Sequence, residues 1–137
     1  MGFLIDTDIW IAVERGILAP ADIYAVTGPE PVFLSPINVA ELWMGIQLVQ
    51  DKSTRRKALV AKRRLRRKPL LRIDYRTGEV FGRLAAELRT QGRDEEFRVM
   101  DVWLAAQAVR HKFKLLTRKE RHFKDILGLN LVVLPQP

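Results

Sequence analysis

The chain contains no cysteine and only two histidines, His111 and His122, among its 137 residues. A protein without cysteine has neither disulfide bonds nor thiolate metal sites, and two histidines offer few nitrogen ligands for a transition metal. We therefore expect no disulfide framework and no zinc centre.

Long apolar runs are also absent. No stretch approaches the roughly 20 apolar residues of a membrane-spanning helix, and Asp6 interrupts the first apolar stretch before a signal-peptide core is complete. We expect a cytoplasmic protein with no membrane partner. The length and the hydrophobic content of 47% suit one domain, residues 1–137, around a buried core.

Positive charge is concentrated in one segment. The formal net charge is +8, and ten of the 24 Lys and Arg residues lie between Lys52 and Lys68, where no acid occurs. The rest of the chain has 14 basic against 16 acidic residues. Apolar residues at helical spacing in this segment predict a helix with one buried face and a wide cationic face. These residues are Ala58, Leu59, Ala61 and Leu65.

Such a cationic face attracts phosphate backbones without reading their sequence, with an affinity that depends on salt. The alternative is a solvated charged helix. A run without compensating acid repels itself and is better tolerated beside a polyanion, which favours nucleic acid. The residues predicted to bind nucleic acid are Arg55, Arg56, Lys62, Arg63, Arg66 and Arg67 from this segment, and Arg118 and Lys119 from a later one.

Short apolar runs alternate with helical patterns along the chain. The predicted strands are 3–6, 32–35, 70–74, 114–117 and 129–134. The predicted helices start at Asp8 or Ile9 and after Pro20, then span 39–49, 52–68, 78–89, 101–109 and 121–126. Most strands are far enough apart for crossover helices, so we expect an α/β fold with a mainly parallel sheet.

Three acidic residues, Asp6, Glu41 and Asp101, lie where a short apolar run gives way to an amphipathic helix pattern. In an α/β domain such junctions gather along one edge of the sheet, where these folds usually place their sites. Three carboxylates at that edge would hold a hard, oxygen-seeking cation such as Mg²⁺.

Each carboxylate also has a purely structural interpretation. Asn38 followed by Glu41 resembles a capping box, and Asp8 and Asp101 are placed to cap helices. Asp6 is not explained in this way, because it ends a strand before the expected helix begins. A half-buried carboxylate there is costly unless a cation or hydrogen bonds compensate it, so the three acids together need a counter-charge.

Four blocks of sequence follow one another along nearly the whole chain. They are 4–8 (LIDTD), 35–42 (SPINVAEL) with Gly45, 100–108 (MDVWLAAQA), and 115–117 (LLT) with Phe123 and 127–129 (LGL). Together they resemble the signature blocks of PIN-domain ribonucleases, and most closely those of the VapC toxins of toxin–antitoxin pairs. One block alone is a weak signal, whereas four in order are a strong one.

The resemblance implies a three-layer α/β/α sandwich on a five-stranded parallel sheet, endonucleolytic cleavage of RNA, and inhibition by a co-encoded antitoxin. Asp6, Glu41 and Asp101 match the family acids that bind Mg²⁺ or Mn²⁺, and Thr117 matches a hydroxyl position near the site. Family members typically dimerise, so RNA, a cognate antitoxin and a second copy of the chain are the expected partners.

Two positions depart from the family pattern. Lys119 stands where the family often has Asp or Asn, and His122 stands where it often has an acid. Glu120 or Asp8 is expected to supply the missing oxygen, or else the site holds one metal firmly and acquires a second with substrate. His122 itself is expected at the surface, because a lone histidine in a basic loop is usually exposed.

The mechanism expected from these residues is metal-assisted hydrolysis, in which Mg²⁺ polarises a phosphoryl oxygen and lowers the pKa of an attacking water. Two other functions stay open. A weakly active or inactive PIN-like nucleic-acid-binding protein would follow from the missing acid. A receiver-like phospho-acceptor domain would use Asp6, Asp8 and Asp74 together with Thr117. It would leave Glu41 and Asp101 without a role.

Four large apolar side chains, Trp10, Trp43, Met44 and Trp103, lie on helix faces that we expect to be mostly core. Any that remain exposed are candidates for a dimer contact or for an antitoxin helix.

Overall fold

The computed structural model describes residues 1–93 and 98–135, in which four short strands form one parallel sheet of order β2-β1-β3-β4. The strands are β1 (Phe3–Ile5), β2 (Val32–Phe33), β3 (Lys114–Thr117) and β4 (Asn130–Val133). The α-helices are α1 (Thr7–Glu14), α2 (Pro20–Thr27), α3 (Pro36–Leu48), α4 (Lys52–Leu65), α5 (Tyr75–Thr90) and α6 (Val99–His111). A 3₁₀ helix, Glu120–His122, takes the place of the predicted last helix.

The two central strands supply side chains to two separate cores, because successive residues of a strand point to opposite faces of the sheet. Leu4 and Leu115 lie in a core with the apolar faces of α5 and α6. Phe3, Ile5 and Leu116 lie in a second core with α1 and α2. Helices therefore cover both faces of the sheet, which confirms the α/β/α layering implied by the resemblance.

The prediction of a fifth strand over 70–74 is wrong. This segment forms a single parallel bridge between Leu34 and Leu70, in which the Leu34 N–H donates to the Pro69 carbonyl at 2.8 Å. The ladder cannot extend far, because the neighbouring strand β2 has only two residues and Asp74 already caps α5. The sheet of the described residues thus has four strands rather than five.

The first turn of α3 also differs from the prediction. The helix begins at Pro36, and Ser35 is its N-cap: the Ser35 Oγ accepts from the Ile37 N–H at 3.0 Å. The Ser35 N–H donates in turn to Asn38 Oδ1 at 2.8 Å, which completes a capping box. The interpretation of Asn38 as N-cap and of Glu41 as its capping partner is therefore wrong, and Glu41 is available for other contacts.

The other two proposed caps are wrong for a similar reason. Since α1 begins at Thr7 and α6 at Val99, Asp8 and Asp101 lie inside the first turns of their helices. Asp6 occupies the N-cap position of α1, yet its side chain makes no capping hydrogen bond. Its carboxylate points instead to the neighbouring strand.

The basic helix α4 packs against α3, but none of its residues is fully buried, so its predicted buried face is only partly covered. Trp10 is buried as expected, whereas Met44 is exposed and the Trp43 ring is 38% exposed. Lys62 lies over that ring, with Nζ 3.2 Å from the ring centroid. None of the helices in 1–93 and 98–135 is both long and apolar enough to span a membrane.

Candidate active site at the carboxyl edge of the sheet

Asp6 and Thr117 meet at the carboxyl edge of the sheet, where the paired strands β1 and β3 end. The Asp6 N–H donates to the Leu116 carbonyl at 2.9 Å, which continues the ladder by one residue. The Thr117 hydroxyl donates to Asp6 Oδ2 at 2.9 Å, and both side chains are buried. Thr117 therefore holds the carboxylate of a residue that is 111 positions away in sequence.

Glu41 is tied to the end of β1 by a chain of hydrogen bonds. The Thr7 hydroxyl donates to Glu41 Oε1 at 2.7 Å and accepts from Asn38 Nδ2 at 2.9 Å. The same Asn38 amide donates to the Ile5 carbonyl at 3.0 Å, and Asn38 is fully buried. Asn38 thus fixes α3 against β1, and the Thr7 hydroxyl that it contacts holds Glu41, one turn later on α3.

Asp101 comes from the first turn of α6, where its side chain is 16% exposed and its Oδ2 lies 3.3 Å from His122 Nδ1. Farther along α6, buried Gln107 accepts a hydrogen bond from the Ser35 hydroxyl and donates to the Leu71 carbonyl at 2.8 Å. The first bond fixes α6 to the N-cap of α3, and the second fixes it to the segment that precedes α5. The sequence analysis did not identify Gln107, although a single amide side chain in the otherwise apolar run VWLAAQAV indicates a buried polar contact.

The electrostatics show that the acids share one environment. Burial raises the pKa of Asp6, and the charges of Asp8 and Glu41 raise it further. The pKa of Asp101 is raised to about 6 by burial, then by the charges of Asp6 and Glu41. The charge of Lys119 opposes both shifts. We refer to Asp6, Asp8, Glu41 and Asp101 as the carboxylate cluster.

The substitution Asp101→Asn is expected to stabilise the metal-free protein at neutral and higher pH. Because the folded-state pKa of about 6 lies above the ordinary value of 3.8, the protonated carboxyl favours folding. That contribution is complete below about pH 4 and is lost as the pH rises through 6. Denaturant titration in EDTA at pH 8 should give the variant about 1–3 kcal/mol more unfolding free energy than the wild type.

The matched control for this experiment is Glu79→Gln, which removes an exposed carboxylate from α5. Its unfolding free energy should follow that of the wild type from pH 4 to pH 8. Equal unfolding free energies for Asp101→Asn and the wild type at pH 8 would contradict the buried, mutually repelling arrangement.

A divalent cation fits this cluster in chemistry and in charge. Carboxylate oxygens are the ligands that Mg²⁺ and Mn²⁺ prefer, and a cation would offset the burial and the neighbouring negative charges that raise the pKa of Asp101. Within residues 1–93 and 98–135, however, no three His, Asp or Glu side chains are already arranged to hold an ion. Thr117, Thr7 and His122 contact one carboxylate each, so binding requires these side chains to rearrange.

The remaining predicted site residues have different positions. Asp8 forms an ion pair with Lys119 Nζ, so Lys119, predicted to bind nucleic acid, is engaged by an acid of the site. Glu120 is exposed, and no hydrogen bond or ion pair described for 1–93 and 98–135 joins its side chain to the cluster. The expectation that His122 lies at the surface is wrong, because its side chain is only 7% exposed.

The predicted nucleic-acid residues of α4 and the turn after it divide into two groups. Arg63, Arg66 and Arg67 are exposed to solvent. Arg55 donates to Gln47 at 2.9 Å and Lys62 covers the Trp43 ring, so those two cations also hold α4 on α3. Arg56 is exposed beside a groove between the helices, and Arg118 is half-buried next to the site.

Two clefts flank the carboxylate cluster. The first, which we call the apolar groove, has a volume of about 1310 Å³, is lined by α1, α2, α3 and α4, and has Glu41 among its lining residues. The second, which we call the basic cleft, contains Asp101 and His122. Its cationic lining residues include Arg98, Arg121 and Lys124.

Comparison with known proteins identifies the family and the fold. The family model of the PIN domain matches residues 3–128. Ribonuclease VapC of Rickettsia bellii is 29% identical over 140 residues, which cover 98% of both chains. Ribonuclease VapC1 of Rickettsia felis is 29% identical over 135 residues, 98% of this chain and 97% of the relative.

Solved structures share the fold at lower identity. VapBC2 from Rickettsia felis, bound to a DNA fragment from its promoter, aligns with a TM-score of 0.83 and 21% identity, over 97% of this chain and 98% of the other. DNA-bound VapBC from Salmonella typhimurium aligns with a TM-score of 0.82 and 20% identity, over 98% of each chain. VapBC-1 from nontypeable Haemophilus influenzae aligns with a TM-score of 0.80 and 22% identity, also over 98% of each chain.

Proposed function

The chain belongs to the PIN domain family, and from this membership we propose that it is a metal-dependent endoribonuclease acting as the toxin of a toxin–antitoxin pair. The observation that carries the proposal is that Asp6, held by Thr117, and Glu41, held by Thr7, lie at the carboxyl edge of a parallel sheet, where the charges of both acids act on Asp101. Relatives named ribonuclease VapC, matched over nearly the whole chain, support the same activity.

In this proposal the three carboxylates hold Mg²⁺ or Mn²⁺, which when bound supplies Lewis acidity for hydrolysis of an RNA phosphodiester bond. The surrounding side chains position the ligands. Thr117 holds Asp6 by a hydrogen bond, and Thr7 holds Glu41. Such supporting contacts orient metal ligands and commonly change affinity or activity about 10- to 100-fold when removed.

RNA is proposed to bind through phosphate contacts to the exposed cations of α4 and of the turn that follows it. Exposed arginines beside one another favour phosphate oxygens, and their contribution falls with rising salt. The double variant Arg63→Gln/Arg67→Gln should weaken RNA binding about tenfold at low salt and reduce the slope of log K against log salt by about 1–2. Fluorescence anisotropy with a labelled RNA across a salt series measures both quantities.

The control for this prediction is Lys112→Gln/Arg83→Gln, which removes the same charge elsewhere. Lys112 precedes β3 at the amino edge of the sheet, and Arg83 is paired with Glu87 on α5. This variant should bind RNA with nearly the wild-type salt slope. The same loss in both double variants would show a nonspecific effect of net charge and would contradict a binding surface on α4.

We also propose that the apolar groove receives a segment of the antitoxin. The solved structures that share this fold include VapBC complexes. The floor of the groove is apolar, with Trp10, Leu42 and Ile46, while cations such as Arg15 and Arg56 lie at its rim. An amphipathic segment with acidic residues is complementary to both features.

Tyr24 tests this assignment because it lines the groove and is 64% exposed, so its removal does not empty the core. Tyr24→Ala should weaken binding of the co-encoded antitoxin about tenfold or more, measured by calorimetry. Tyr75→Ala is the control, because Tyr75 is 84% exposed and lies outside the groove. Equal affinities for the two variants would exclude the groove as the main antitoxin surface.

A non-catalytic nucleic-acid-binding role is the second candidate, because no ready three-ligand arrangement occurs among the described residues. Calorimetric titration with Mg²⁺ separates the two, since only the nuclease requires saturable binding. The receiver-like alternative has less support. Asp74 caps α5 and accepts from Arg110 Nη2 at 3.3 Å, so it does not join Asp6.

A further inference from the structure

Lys119 occupies a fixed position beside the carboxylate cluster. Its N–H donates to Thr117 Oγ1 at 2.9 Å, and the same hydroxyl donates to Asp6 Oδ2 at 2.9 Å. Its ammonium group forms an ion pair with Asp8. The backbone of Lys119 is thus joined to Asp6 through Thr117, and its side chain contacts Asp8 directly.

The positive charge of Lys119 also affects acids other than Asp8, its ion-pair partner. It acts on both Asp6 and Asp101, whereas Arg98, the other named cation near Asp101, is not among the charges that shift the pKa of Asp6. Lys119 is therefore the lysine that the fold places among these acids.

We propose that the ammonium group of Lys119 is a built-in counter-cation of the carboxylate cluster, so that the site takes one divalent ion rather than two. This inference rests on the proposed function. Four ionised carboxylates and one ammonium group carry three net negative charges. One divalent ion leaves one negative charge, which the neighbouring Arg98 attracts, whereas two ions leave one positive charge, which Arg98 and the other cations of the basic cleft repel.

Calorimetric titration of Mn²⁺ into metal-free protein tests the proposal through stoichiometry, without any cleavage assay. The wild type and Lys119→Arg should bind one ion, because both retain the positive charge. Lys119→Met and Lys119→Gln should each bind two ions. In both variants the first ion should bind about threefold to tenfold more tightly than the single ion binds to the wild type. Two replacements of different polarity keep the test valid if one of them folds poorly.

Lys114→Met is the matched control. Lys114 is a comparably exposed lysine at the other end of β3, paired with Glu30 at 3.5 Å, and its loss should leave the stoichiometry at one. A stoichiometry of one in the folded Lys119→Met or Lys119→Gln variant overturns the role of Lys119, as does a stoichiometry of two in the wild type. Absence of any saturable binding by the wild type contradicts the metal-dependent function itself.

Discussion

Asp6→Asn and Asp101→Asn are each expected to reduce RNA cleavage at least ~100-fold in the presence of Mg²⁺. Each substitution removes an anionic oxygen ligand while it keeps the size of the side chain. Asparagine also retains an acceptor for the Thr117 hydroxyl at position 6. The loss should appear in the cleavage rate constant measured under single-turnover conditions, with RNA affinity much less affected, because the phosphate-binding cations are unchanged.

The stability of the two variants shows whether a loss of cleavage comes from lost catalysis or from unfolding. The pKa values of both aspartates are raised in the folded protein, so neutral replacements should preserve or increase the stability of the metal-free form at pH 8. Glu79→Gln, an exposed acid on α5, serves as the control and should cleave like the wild type. Metal-dependent cleavage at the wild-type rate by either aspartate variant would remove the proposed active site.

Asn38→Ala is expected to have the largest effect on stability, about 2–4 kcal/mol of unfolding free energy. The fully buried amide donates to the Ile5 carbonyl and to Thr7 Oγ1, and its oxygen accepts from the Ser35 N–H. Its removal leaves these buried partners unsatisfied and opens a small cavity. Urea titration followed by circular dichroism measures the loss.

Met44→Ala is the control for this stability measurement. Met44 lies on the same helix as Asn38 but is exposed, so its truncation should cost less than about 0.5 kcal/mol. Asn38→Ala should also reduce cleavage in protein that is still folded, because Thr7 loses the contact that orients it toward Glu41. An Asn38→Ala variant as stable as Met44→Ala would show that the buried network contributes little.

Much of the fold was accessible from the sequence because the hydrophobic pattern is strong. Strand β3 has the predicted limits, Lys114–Thr117, since it is an apolar run bounded by polar residues. The predicted start of α3 is wrong because Ser35, and not Asn38, is the N-cap. Pro36 was the better signal, because proline is favoured in the first turn of a helix and follows an N-cap.

Other features depend on contacts that no local pattern encodes. The predicted fifth strand does not form because its neighbour β2 is only two residues long, and the length of β2 depends on the assembled sheet. The contact between Thr117 and Asp6 follows from the parallel pairing of β1 with β3, and the spacing of the strands in the sequence predicts a parallel sheet. The pairing of Lys119 with Asp8 and the burial of His122 were not predicted, because both depend on the path of the loop after β3.

The central claim is that Asp6, Glu41 and Asp101 bind one common divalent ion. The most direct measurement is the anomalous difference density of a crystal grown with Mn²⁺. We expect a strong peak within coordination distance of oxygens from all three carboxylates, and no such peak in crystals of Asp101→Asn. A Mn²⁺ ion bound elsewhere on the protein, with these three side chains still held by Thr117, Thr7 and His122, would contradict it.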